Sequence, residues 1–307
     1  MTNRPVLTLA HSADADDVFM WWPITGKVDP TDPSRVLAAP AIDTGRFAYR
    51  SLPEDIQALN TRAMLSGDLE ITAISMATYA HVASRYALTA CGSSFGEGYG
   101  PKLVAHSSRP EVTLDWLRSC GGSGGARIAV PGLNTSAYLV LCILLGRGDF
   151  EPVPMRFDAI VAATAAGRVD AGVLIHEAQI TFAAAGLRLL QDLGAWWGEQ
   201  TNLPMPLGGN AVARDLDRRF GPGAVADVVA TLNRSLRHAL ANREESLAYA
   251  ETFSPLKTRP ELEKYLGMYV SDLTVDAGDR GQRAIKELLG RAARIGVCPQ
   301  VSDLDLL

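Results

Sequence analysis

Residues 163–179 read ATAAGRVDAGVLIHEAQ, and residues 63–79 read AMLSGDLEITAISMATY. Both stretches run from a helix end through a glycine, two residues and an acid into a short apolar strand that ends at a polar or functional residue. Gly67 and Gly167 occupy the same place in the two copies, and the shared register sets Met76 against His176. A helix–strand unit that occurs twice predicts two lobes, each built on its own sheet, with the two strand ends facing each other across a cleft.

The rest of the chain extends this pattern. Apolar runs of strand length alternate with helical stretches: VLTLA (6–10) before a helix from about Asp17, ITAIS (71–75) before a helix to about Arg85, RIAV (127–130) before SAYLVLCILLG, and GVLI (172–175) before another helix. Such alternation predicts an α/β protein with parallel sheets and right-handed crossovers. Two joints rich in glycine or proline, CGSSFGEGYGP (91–101) and NLPMPLGGN (202–210), each lead into an extended run and mark the crossings between lobes. The expected division is 1–102 plus 207–307 for the first lobe and 103–206 for the second. SCGGSGGAR (119–127) has the composition of a flexible surface loop. After Asp215 the apolar positions recur at three- and four-residue spacing, in VADVVATLNRSLRHAL and RGQRAIKELLGRAARIG, which suits helices wrapped on a sheet.

Composition limits the function. The chain has 307 residues, 47% apolar and 21% charged, with a net charge of −5 and no block of Lys or Arg. It therefore lacks the footprint of a nucleic-acid or anionic-lipid binder, and a small-molecule partner is expected. The four cysteines form no CxxC pair and lack the His spacing of a zinc site, so they read as reduced structural thiols. The opening MTNRPVLTLAHSADADD has one Arg and a short apolar run that ends in acid. That is the pattern of neither a secretory signal nor an anchor, and the protein is predicted to be cytoplasmic. The composition is equally compatible with a monomer and a homodimer.

In parallel sheets, ligands bind beyond the carboxyl ends of the strands, where helix N-termini present free N–H groups. Four strand ends carry suitable groups: His11-Ser12, Ser75, the run Pro131-Gly132-Leu133-Asn134-Thr135-Ser136, and His176-Glu177. Asn134, Thr135 and Ser136 precede an apolar helix; their hydroxyls and the helix N–H groups suit a carboxylate or phosphate, while simple N-capping explains them equally. His176 is the sharpest candidate, because an imidazole titrates near neutrality and serves as a general base. Glu177 either orients that ring or starts the next helix. The run Asp14, Asp16, Asp17 lacks the spacing and glycine of a calcium loop, and Asp at a helix start explains it, so no metal is expected. Trp21-Trp22 and Trp196-Trp197 read as core or cleft-wall aromatics; GAWW (194–197), near a crossing, offers a surface for stacking a planar ligand. The glycine patterns of nucleotide sites and the GxSxG of Ser hydrolases are absent.

Taken together, HSADADDVFM, ITAISMATYAHVASRYAL, GYGPKLVA, IAVPGLNTSAYL, DAGVLIHEAQITF, LQDLGAWWGEQTNLPMPLGGNAVARDL and YVSDLTVDAGDRGQRAIKELL resemble the 1,4-dihydroxy-6-naphthoate synthases of the futalosine route to menaquinone. The resemblance covers nearly the whole chain and is most specific from Ile175 to Gly209. It implies the two-lobed fold of type II periplasmic binding proteins, with the ligand cleft between the lobes, in a cytoplasmic enzyme. The implied reaction converts cyclic dehypoxanthine futalosine to 1,4-dihydroxy-6-naphthoate with loss of dihydroxyacetone, without metal or organic cofactor. Carried over by position, the catalytic base falls on His176 and the carboxylate-holding hydroxyls on Thr135 and Ser136. Ser75 and Asn60 line the other lobe's side, and Asp16 and Asp17 match a polar pair after the first strand. The chain departs from the family at two places. Some members have Pro and Asn where this chain has SADADD, and Met76 stands where an aromatic is frequent, so these positions bear on substrate identity. Two alternatives accompany this expectation: chorismate dehydratase of the same superfamily, and a non-catalytic protein that captures a small carboxylate.

Overall fold

Strand β1 (Val6–Ser12) is followed by α1 (Ala15–Thr25), a ribbon of β2 (Lys27–Val28) and β3 (Val36–Ala38), then β4 (Ala48–Glu54), α2 (Ile56–Leu65), β5 (Ile71–Ser75), α3 (Met76–Val82), β6 (Tyr86–Leu88) and β7 (Ser94–Gly96). A second run comprises β8 (Lys102–His106), α4 (Leu114–Ser119), β9 (Ala126–Val130), α5 (Ser136–Leu145), β10 (Phe150–Pro154), α6 (Phe157–Ala165), β11 (Ala171–Leu174), α7 (Ala178–Thr181), β12 (Leu187–Asp192) and α8 (Leu193–Thr201). The chain then returns through β13 (Met205–Ala213) to α9 (Leu216–Phe220), α10 (Ala224–Ala241), α11 (Arg243–Ala250), α12 (Arg259–Tyr269), α13 (Asp272–Val275) and α14 (Gly278–Arg294). The structure, a computed structural model, describes residues 4–120 and 125–307. Residues 121–124 of the glycine-rich run, expected to be a surface loop, lie outside the described residues, as do residues 1–3 of the opening segment.

Two sheets organise two lobes, with strand orders β4-β1-β5-β13-β6, β7 also pairing with β13, and β10-β9-β11-β8-β12. The plans are equivalent. In each, the second strand pairs in parallel with its neighbours on both sides, β1 with β4 and β5, and β9 with β10 and β11. In each, the fourth strand, β13 or β8, runs antiparallel to the third. The sheets are therefore mixed, which corrects the expectation of parallel sheets. The reversed strands are the two that arrive from the other lobe, so no helical crossover on their own sheet sets their direction.

The repeated unit has a physical cause. Gly67 (φ +60°) follows α2 and Gly167 (φ +67°) follows α6; each holds the left-handed conformation that ends a helix and turns the chain into the central strand, β5 or β11. After β11 a turn leads into α7 and directly on into a 3₁₀ helix over Phe182–Ala185, so the helix expected after GVLI is present but short and changes type part-way.

Helix α5 has no polar stripe, and eight of its ten residues are buried. It packs against α3, α14 and β13 of the opposite lobe. A helix apolar on every side needs cover all round, and a place between the lobes supplies it. By contrast α14 buries Gly281, Ala284, Ile285, Leu288, Leu289 and Ala292, one stripe at helical spacing.

Candidate active site

The carboxyl ends of β1 and β5, the β13 segment Leu207–Asn210, the N-terminus of α5 and the turn after β11 converge on one cavity. The room inside it for water-sized spheres is about 110 Å³. Ser12, Ser75, Thr135, Ser136 and His176 all line it, so the strand ends of the two repeated units do share one space.

His176 stands just past β11 with φ +53°, in the left-handed region. A non-glycine residue there costs on the order of 1 kcal/mol and is associated with functional sites. Its Nδ1 lies 2.6 Å from Oδ2 of Asp14, and Phe157 packs edge-on, ring centroids 4.7 Å apart. Nε2 has no protein hydrogen-bond partner among the described residues. Burial works against a charge on this ring, yet the Asp14 carboxylate outweighs it and raises the imidazole to about 9. Burial likewise opposes the charge on Asp14, but the facing imidazole keeps that carboxyl below its ordinary value.

Three more acids surround this pair, and no Lys or Arg lines the cavity among the described residues. Asp16, pushed well above the carboxylate range by burial and by the charges of Asp14 and Asp17, accepts a 2.9 Å hydrogen bond from the Tyr265 hydroxyl. Asp17 accepts from the Ser12 N–H at 2.7 Å and the Trp21 indole at 3.3 Å; burial and the Asp14 charge raise it to about 7. Glu177, raised by burial, starts α7, and its Oε1 has no hydrogen-bond partner among the described residues. Buried carboxylates this close do not all ionise at neutral pH.

The other side of the cavity is neutral, and the donors it leaves free are backbone N–H groups, because its two hydroxyls donate to carbonyls. The Thr135 hydroxyl donates to Gly132 O at 2.8 Å and accepts from the Tyr138 N–H at 3.3 Å, so it caps α5 and lines the cavity at once. Ser136 donates to the Leu207 carbonyl of the other lobe. The first-turn N–H groups of Ser136 and Ala137 precede any intrahelical partner and, with the helix dipole, suit a carboxylate.

Two expected pocket residues sit one layer behind this wall. Asn60 clamps Ser75, its Nδ2 donating to Ser75 Oγ and its Oδ1 accepting from Ser75 N, both at 2.9 Å. Asn134 turns its backbone outward: its carbonyl accepts from Thr78 at 2.7 Å and from Asn60 at 3.3 Å, and its N–H donates to Gln57 at 3.2 Å. Both belong to a seam between the lobes, because the tight turn at Gly132 carries the Asn134 backbone against α2 and α3. His11 is also structural, with Nδ1 on Ser12 O and Nε2 on Ser51 Oγ, both at 2.7 Å.

The aromatic wall is a second correction. Trp197 is buried and donates to Pro204 O at 3.1 Å, and none of Trp21, Trp22, Trp196 or Trp197 lines the cavity. Tyr265 and Tyr269 of α12 do, one helical turn apart, and Tyr269 is joined to Gln179 of α7. Nothing in the sequence ties α12 to the motifs nearly ninety residues earlier. Asp14 was visible only as one acid in a run, with no signal to separate a cap from a partner of His176.

The fold and site define a two-lobed α/β protein of the periplasmic-binding-protein kind, closed on a cavity that holds one imidazole–carboxylate pair. The chain belongs to the menaquinone biosynthesis family, whose model matches residues 7–294. It is 37% identical to a 1,4-dihydroxy-6-naphthoate synthase of Thermus thermophilus over 80% of this chain and 83% of that protein. Against the synthase of the same name from Streptomyces coelicolor it is 31% identical, over 97% of this chain and 96% of the relative. Among solved structures, protein AF1704 of Archaeoglobus fulgidus is 36% identical with a TM-score of 0.79, covering 95% of this chain and 98% of that one. The alkanesulfonate-binding protein SsuA of Xanthomonas axonopodis, 16% identical with a TM-score of 0.64 over 98% of this chain and 96% of its own, shares the fold.

Proposed function

We propose that this protein is a carbon–carbon lyase of menaquinone biosynthesis, acting in the cytoplasm, that converts cyclic dehypoxanthine futalosine to 1,4-dihydroxy-6-naphthoate and dihydroxyacetone. The observation that carries the reading is His176: a partly buried ring that lines the cavity, held at Nδ1 by Asp14, with no hydrogen-bond partner on Nε2 among the described residues. The substrate carboxylate sits at the first turn of α5, on its free N–H groups, with the Thr135 and Ser136 hydroxyls turning from Gly132 O and Leu207 O to donate to it, away from the acids around Asp14. That orientation places the reacting carbon skeleton toward His176. Nε2 takes a proton from the substrate, and the electron pair left behind drives cleavage of the bond to the three-carbon unit, which departs with that bond's electrons and takes up a proton. Lobe closure excludes water and strengthens each of these contacts. The names of the two relatives support the naphthoate as the product.

Purified protein incubated with cyclic dehypoxanthine futalosine should yield the naphthoate by mass spectrometry. His176→Ala should lower turnover at least about 10²-fold, with the naphthoate still bound. Well-folded wild-type protein that binds the naphthoate yet makes none would reduce the chain to a carboxylate-capturing protein.

A further inference from the structure

Asp14 and His176 come from different lobes, one ahead of α1 and the other after β11. Asp14 occupies the N-cap position of α1 with φ −104° and ψ 170°, yet its side chain makes no capping hydrogen bond. Its Oδ2 is spent on the His176 ring at 2.6 Å, and its buried Oδ1 has no partner among the described residues. A buried carboxylate that neither caps its helix nor fills its second oxygen is costly to the fold. The imidazole is its principal partner, with smaller contributions from the side chains of Ser12 and Asp16.

Resting on the reading of His176 as base, we infer that Asp14 is the positioning residue of a dyad assembled across the cleft: it holds the ring with hydrogen on Nδ1 and the Nε2 lone pair facing the substrate. When Nε2 takes the substrate proton, the imidazolium forms against an existing carboxylate, so no new unpaired charge is buried. The same proton leaves from Nε2 to the departing three-carbon fragment, which restores the neutral ring. The groups that bear on the pair are Glu177 beside the ring, Asp55 on the opposite lobe, Asp16 and Asp17 next to Asp14, and the hydroxyl of Tyr265.

The test is an imidazole ¹⁵N NMR titration of the full chain, with His176 assigned through His176→Ala, in wild type, Asp14→Asn and Asp14→Glu, beside kcat, KM and naphthoate affinity. Wild-type His176 should titrate near 9 with hydrogen on Nδ1. Asp14→Asn should lower that titration by about two units, cut kcat at least about 10²-fold and leave naphthoate affinity within about threefold; Asp14→Glu should recover part of both losses. A wild-type ring that titrates at the ordinary histidine value, or an Asp14→Asn protein with wild-type titration and kcat, would overturn the inference. The wild-type titration decides the point even where the variants fail to fold. A wild type without turnover whose His176 still follows Asp14 would sink the proposed activity while leaving the dyad in place.

Discussion

His176 is held by a carboxylate that favours its charged form, which has consequences for pH. With the ring at about 9, about 1% of molecules carry a neutral base at pH 7. The kcat/KM should therefore rise about tenfold between pH 7 and 8 and level off above about 9; a profile flat from pH 6.5 upward would contradict this. Stability should run the other way. His176 binds its proton more tightly when folded, so its contribution is complete below about 6.5 and is lost as pH rises through about 9. Asp16 and Asp17 are also raised, so the folded state keeps protons that the unfolded chain releases from about pH 4 upward, and stability falls across that range until the folded groups ionise too. Asp16→Asn retains an acceptor for Tyr265 and removes one of these charges. Its Tm should exceed the wild-type value by about 2 °C or more at pH 8.5, with a smaller difference at pH 5.5, as read by calorimetry at both values.

At the scale of elements, the turn between β9 and α5 carries the seam between lobes. Gly132 has φ +148°, and a Cβ there would lie 2.0 Å from Oε1 of Gln57 on α2. Gly132→Ala must displace the Gln57 side chain, break its bond to the Asn134 N–H and strain the turn that aims Thr135 and Ser136. Naphthoate affinity should fall about tenfold, on the order of 1.4 kcal/mol, in a protein whose circular dichroism matches wild type. Unchanged affinity in titration calorimetry would show that this seam does not govern binding. Helix α5 shows how far local pattern reaches. Its unbroken apolar run predicts burial, while the faces that cover it come from α3, α14 and β13.

For the whole molecule, the outgoing crossing between lobes is held by close backbone packing. Gly194, at the start of α8, lies so close to the outgoing crossing that a Cβ would fall 1.8 Å from Tyr99 O and 2.4 Å from Gly100 N. Both neighbours are backbone, which cannot rotate aside. Gly194→Ala should cost at least about 2 kcal/mol, measured as a lower urea midpoint, because relief requires moving the outgoing crossing relative to α8. The same neighbourhood holds the Lys102–Asp192 ion pair at the base of the second lobe. Among the described residues no helix is long and apolar enough to cross a membrane.

What the sequence determined by itself was whatever depends on neighbours within one unit: the repeated helix–glycine–strand segments, the amphipathic α14, the all-apolar α5, and the strand ends where hydroxyls and an imidazole gather. These follow from periodicity and from the left-handed turns at Gly67 and Gly167, which act over a few residues. Tertiary structure alone decided the reversed directions of β8 and β13, the withdrawal of Asn60 and Asn134 behind the wall, and the aromatic lining by Tyr265 and Tyr269 in place of the tryptophans. It also chose Asp14, out of a run of three acids, to face His176. Each of these is set by the meeting of segments up to some 250 residues apart, Tyr265 bonding Asp16 across a separation of 249, and no local pattern encodes which distant surface a side chain will meet.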